Sequence, residues 1–152
     1  MDDDGHAPMT QYRPSELAQL IITTVEALTP DDRATEGDGF TVRVGFADDD
    51  GSQGSRVCWL MLDSSAPTQR RNLTTSRTHD TVATLTTRYP THAWARAMDD
   101  GALIADALRA LQLSNDLEVY DTPIPQVLPV GDELLDVVIT VGIGYTYSGA
   151  TQ

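Results

Sequence analysis

The order of hydropathy patterns along the chain predicts an α+β domain: an antiparallel or mixed sheet of about five strands with two helices packed on one face. Three observations lead there. Residues 15–28 and 92–111 repeat apolar side chains at helical spacing. Five other stretches alternate, or run apolar, over strand lengths. Their order is helix, two strands, a long polar segment, strand, helix, two strands.

Residues 1–12 read as a flexible acidic tail, 13–148 as one domain and 149–152 as a short C-terminal tail. Pro14 suits a first helical turn, where its missing N–H costs nothing. Leu17, Leu20, Ile21, Val25 and Leu28 then form one stripe, and Glu16 sits where the helix dipole favours an anion. Thr29-Pro30-Asp31-Asp32 ends this helix. Phe40, Val42, Val44 and Phe46 alternate with smaller or polar residues, as in a half-buried strand. After the turn-rich stretch 48–54, residues 56–62 are apolar at nearly every position, so both faces of this strand should be covered. A hairpin is the simplest link between the two strands.

Residues 63–77 are polar and show no periodicity. From Asp80 to Tyr89, Val82, Thr84 and Thr86 point one way, and Ala83, Leu85 and Tyr89 the other. Pro90 closes this strand, and Thr91 reads as the N-cap of the second helix. That helix carries Trp94, Met98, Ile104, Leu108 and Leu111 in one stripe, with Ala97 and Gly101 packed into it. Gly101 in mid-helix costs about 1 kcal/mol of propensity, which marks a kink or a close contact. Leu117–Tyr120 reads as a short strand, and 122–129, with its prolines, as an extended connector. Last, Leu135, Val137, Ile139, Val141, Ile143, Tyr145 and Tyr147 share one face of a strand of about 13 residues, far longer than the common 5–6. Such a strand needs a central place in a sheet, or partners beyond its own chain.

The charge balance narrows the function. Ten basic residues stand against 23 acidic ones, for a net charge of −13. Every basic residue is arginine, lysine is absent, and aspartate far outnumbers glutamate. At about 1 M salt the Debye length is roughly 3 Å, so self-repulsion that is costly in dilute buffer is mostly screened. The composition is that of a protein working in concentrated salt. It also argues against sequence-specific nucleic-acid binding, which needs a basic footprint. No apolar run approaches the ~18 residues of a membrane span. Cys58 has no second cysteine to pair with.

Motifs of catalysis are weak. Asp48, Asp50 and Ser52 open like a calcium loop, but Gln53 and Trp59 stand where its glycine and bidentate glutamate belong. His79 and Asp80 are strand neighbours and point to opposite faces. Cys58, between Val57 and Trp59, reads as a small core residue. Gly142-Ile143-Gly144 lacks the third glycine of a dinucleotide fingerprint. The reading is therefore of no enzyme, with no catalytic, metal or cofactor residues. Two features lean towards interaction instead. Arg70, Arg71 and Arg77 gather in the 63–77 segment and suit an acidic neighbour; Tyr145 and Tyr147 extend the apolar face of the last strand and suit an interface.

The element order resembles that of the tail terminator (tail-completion) family of long-tailed bacteriophages and archaeal viruses. The resemblance covers residues 13–148. It rests on the opening helix Ser15–Leu28 followed by a hairpin, on His79–Pro90 running into Ala93-Trp94-Ala95 and an alanine-rich helix, and on Leu135–Val141 leading to Tyr145 and Tyr147. It implies a non-enzymatic virion protein that assembles in the host cytoplasm as a hexameric ring at the head-proximal end of the tail. Its partners would be copies of itself, the tail tube protein, and a neck or connector protein. The ring would stop tube polymerisation and join tail to neck, and genomic DNA would pass an acidic bore without specific binding. The missing lysine suits a virus of a haloarchaeal host. The competing readings are another head–tail connector, such as a neck or head-closure protein, or a halophilic small-molecule-binding or enzymatic α+β domain.

The composition predicts that dialysis from ~2–3 M into ~50 mM salt collapses the far-ultraviolet circular dichroism spectrum, as screening is withdrawn. An unchanged spectrum and melting curve would contradict the halophilic reading.

Overall fold

The computed structural model describes residues 10–30, 39–45, 56–63, 66–67, 79–113 and 115–147. Its elements are β1 (Gln11–Tyr12), α1 (Pro14–Glu26), β2 (Thr41–Val44), β3 (Val57–Leu62), β4 (Ala66–Pro67), β5 (His79–Pro90), α2 (Trp94–Ala110), β6 (Glu118–Val130) and β7 (Leu134–Tyr147). Short 3-10 turns at Thr91–Ala93 and Leu111–Leu113 flank α2. The class is α+β as predicted. The sheet is mixed and has seven strands, in the order β1-β7-β5-β3-β2, with β4 on β5 and β6 on β7. The two strands beyond the predicted five, β1 and β4, are two-residue pieces at one end of the sheet.

The long last strand takes the central place its length demands. β7 pairs antiparallel with β5 from Pro90↔Leu134 to His79↔Tyr145. Its other edge pairs antiparallel with β6. The alternation along β5 is as predicted: Thr81, Ala83, Leu85, Thr87 and Tyr89 are buried, and the residues between them are not. Val137, Ile139, Val141, Ile143 and Tyr145 of β7 join the same core. Both helices lie on this face. α1 contributes Leu17, Ile21 and Val25, all fully buried. Its start is held by Glu16, whose Oε1 accepts the Arg13 backbone N–H at 2.8 Å.

Several local expectations change. The first two strands do not form a hairpin: β2 and β3 are parallel, from Thr41↔Val57 to Val44↔Leu60. The segment joining them is long enough for the crossover that a parallel pair requires. Phe40 and Val42 are buried, but Val44 is 66% exposed at the outer edge, and Phe46 lies outside the described residues. β3 is fully buried only at Val57, Cys58 and Leu60. The short strand and connector expected after α2 are a single strand, β6, which the prolines disguise. It carries an irregularity between Tyr120 and Ile124. Pro125 and Pro129 hold ladder positions against Ile139 and Leu135 because β6 is an edge strand, where a missing N–H faces away from the sheet.

Thr91 does not cap α2. It begins the 3-10 turn, and its hydroxyl donates to the Asp132 carbonyl at 3.4 Å. Trp94 and Met98 leave the predicted core stripe, with 59% and 53% exposure. The buried face of α2 is made instead by Ala97, Asp100, Gly101, Ile104, Ala105 and Leu108. Gly101 marks a close contact: a Cβ there would stand 2.9 Å from Cβ of Pro125 and 3.0 Å from Cγ1 of Val137. Its lack of a side chain lets α2 press onto the β6–β7 pair.

Gly101→Ala should therefore lower stability despite the higher helix propensity of alanine. Overpacking costs about 1–3 kcal/mol, and propensity returns about 1 kcal/mol. Urea unfolding in high salt checks this. A stabilised variant would contradict the contact.

Candidate functional site

Of the residues predicted to carry interaction, Arg70, Arg71 and Arg77 lie outside the described residues. Tyr145 is fully buried and belongs to the core, so its side chain offers nothing to a partner. Tyr147 is half-buried. Its ring centroid lies 4.4 Å from that of His79, whose ring is also 6.0 Å from Tyr145. This end of β7 is tied down within the chain. β1 pairs parallel with it, Gln11↔Thr146 and Tyr12↔Tyr147. The Tyr12 hydroxyl in turn donates to the Asn115 carbonyl at 2.7 Å, and the Thr10 N–H donates to Asp116 at 2.8 Å. The aromatic run at the end of the last strand is thus explained by internal packing.

The sheet face opposite the helices is the better candidate. Ladder registers place Arg43, Trp59, Thr86, Val138 and Gln126 in one row across it. The Arg43 guanidinium lies over the Trp59 ring, 5.9 Å from its centroid. In the next row Arg88 grips Asp136 with two hydrogen bonds, 2.8 and 3.0 Å. This bidentate geometry fixes the pair more firmly than an ordinary surface contact. Val82, Ile124 and Leu128 are exposed apolar side chains of this face, at 37%, 65% and 45%. Neither helix covers it.

The long outer strands β6 and β2 offer few outward N–H groups for further strand pairing. On β6, the residues whose backbone N–H faces outward have the parity of Pro125 and Pro129. Between those prolines only Val127 retains an outward N–H. On β2, the outward N–H of Val42 donates to the Glu26 carboxylate at 3.0 Å. Both are devices that keep a sheet from growing at its edges. They favour the faces over the edges for recognition.

A second cluster escaped the sequence analysis. Asp100 Oδ2 accepts hydrogen bonds from Arg56 Nε at 2.8 Å and from the Tyr89 hydroxyl at 2.6 Å, and Arg56 Nη2 donates to Oδ1 at 3.3 Å. Arg56 also lies over the Phe40 ring, 5.8 Å from its centroid, and has a left-handed backbone, φ 37°. Its side chain and that of Asp100 are 2% and 4% exposed. Burial, and then the adjacent Asp100 carboxylate, push the Tyr89 hydroxyl far above the usual tyrosine range. Both carboxylate oxygens of Asp100 are engaged within the chain and the side chain is buried, so the cluster clamps the start of β3 to α2 and β5. Asp100 was legible in principle as a carboxylate in the buried register of its helix, three residues after Ala97 and four before Ile104.

Cys58 is fully buried, as expected, and burial pushes its thiol up to about 11, against a smaller lowering by the Thr87 hydrogen bond. Among the described residues no group of three His, Cys, Asp or Glu side chains is placed to hold a metal ion. No helix among them is long and apolar enough to cross a membrane. Comparison of the chain with protein-family models, curated proteins and solved structures gives no match.

The buried cluster should be strong and indifferent to salt. Asp100→Ala leaves Arg56 buried without its partner and is expected to cost about 3–5 kcal/mol. Tyr89→Phe removes a hydrogen bond to a charged group and should cost about 1.5–3 kcal/mol. Arg109→Ala breaks an exposed pair with Asp106 and should change stability by less than about 0.5 kcal/mol. Urea unfolding at two high salt concentrations checks all three. Losses at Asp100 and Tyr89 that shrink as salt rises would contradict a buried clamp.

Proposed function

We propose that the chain is a virion structural protein of the tail terminator kind, from a virus of a halophilic host. On this reading copies of it close into a ring at the head-proximal end of the tail tube. The ring ends tube polymerisation and joins the tail to the neck or connector. DNA passes through its bore without being held, and no bond is made or broken.

One observation carries the reading. The sheet buries one face beneath two helices, leaves the other face uncovered by either helix with Val82, Ile124 and Leu128 exposed, and blunts both outer strands. A chain built this way associates through side-chain surfaces. It does so in a fixed geometry, because β5, β6 and β7 make one long rigid ladder. Edge pairing would run on without limit, whereas a heterologous surface contact closes on itself when its rotation permits. The resemblance in element order supports the family. The net charge of −13 supports both the salt-rich host and an acidic bore that repels phosphate.

Size-exclusion chromatography with light scattering in ~2–3 M salt tests this. The expected mass is a closed multiple, near six, of the 16.5 kDa chain. A single-chain mass at high protein concentration would contradict the ring.

A further inference from the structure

We infer that a groove at the α2 end of the sheet seats the arginine-bearing segment 68–78 of a second copy of this chain. This rests on the self-assembling reading above and adds which two surfaces meet. The groove lies where β5 ends and the β6–β7 turn passes beside the 3-10 turn. Pro90, Val130 and Leu134 give it an apolar lining. Among the described residues that line it, Asp132 and Glu133 are the carboxylates, set against one histidine, His92, and no arginine. Its shape is fixed by backbone groups: the Thr91 N–H donates to the Glu133 carbonyl at 2.8 Å, and the Thr91 hydroxyl to the Asp132 carbonyl. Gly131 takes the left-handed φ of 68° that the turn requires. The side chains of Asp132 and Glu133 remain exposed. Trp94, 59% exposed, follows the 3-10 turn directly and extends the apolar surface.

The occupant follows from charge and from chain length. Residues 68–78 contain Arg70, Arg71 and Arg77, three of the ten positive charges in a chain of net −13, and the apolar Leu73. No acidic residue stands between Asp63 and Asp80. That is the local opposite of the groove in both charge and apolar content. The segment leaves β4 and enters β5 at one point, since Pro67 pairs with His79. The groove lies at the other end of the same 12-residue strand, about 36 Å away at ~3.3 Å per residue. Residues 68–78 must go out and return to that point, so even fully extended they reach only about 20 Å at ~3.3–3.6 Å per residue. A chain's own segment cannot fill its own groove, and a neighbour's can. The contact is therefore head-to-tail, the kind that generates rings when it closes. At molar salt long-range steering is screened within about 3 Å. What remains is direct contact: arginine forks on Asp132 and Glu133, and Leu73 against the apolar lining.

The test compares three full-length proteins by light scattering in ~2–3 M salt. They are the wild type, a variant with Arg70→Ser, Arg71→Ser and Arg77→Ser, and a variant with Asp132→Arg and Glu133→Arg. Each variant alone is expected at the mass of one chain, with the circular dichroism of the wild type. An equimolar mixture of the two is expected at the mass of two chains, because one intact segment then meets one intact groove. A synthetic peptide of residues 66–80, added in excess, should lower the mass of the wild-type assembly, which keeps the test decisive if a variant fails to fold. A variant that keeps the wild-type mass, a mixture of folded variants that stays at one chain, or a peptide without effect would overturn the groove assignment and leave the ring standing. A wild type that is itself a single chain would overturn both.

Discussion

The structure depends on one strand. β7 is held along one edge by β5 and along the other by β6, and its odd-numbered side chains from Val137 to Tyr145 are buried beneath the helices. A strand of 14 residues exposes many N–H and C=O groups, all of which must be satisfied if they are to be buried. Two long neighbours satisfy them. Each other element is placed by reference to this ladder: α2 presses onto it through the bare backbone of Gly101, β1 ties down its end, and β3 and β2 extend it across β5.

That arrangement decides which surfaces are left. β6 bears the prolines and β2 gives its outward N–H at Val42 to Glu26, so both long outer strands offer another chain fewer N–H groups to pair with. What remains outward is the sheet face with its threonines, Trp59, Arg43 and the Arg88–Asp136 pair, and the turn region around Thr91 and Asp132. The charges divide the same way. Asp100 and Arg56 are sealed in the core, where salt screens them little, while most of the excess of 13 negative charges lies elsewhere in the chain.

Much of this was legible in the residues, and the exceptions have physical causes. The alternation of β5 and of the first half of β7 is legible because one face is buried and the other is not, while from Val141 to Tyr145 both faces of β7 are buried. Helix α1 was legible for the same reason. The parallel pairing of β2 and β3 was not, since strand direction leaves no trace in the alternation of either strand. β6 was mistaken for a connector because its prolines are compatible with an edge position, which only the sheet order reveals. Trp94 and Met98 share a helical stripe with buried residues yet are exposed, and Asp100 sits in the buried register beside a partner 44 residues away. Of the expected interaction residues, Tyr145 proved to be a core side chain, because the pattern of an apolar face is the same whether its cover comes from the same chain or another.

The most direct measurement of the proposed assembly is electron microscopy of the purified chain in high salt, mixed with the tail tube protein that the proposed function would assign to it. The account predicts closed rings of this chain seated at one end of each tube, with tubes of limited length. Open ribbons or filaments of the chain, or tubes that lengthen without a ring at either end, would contradict it.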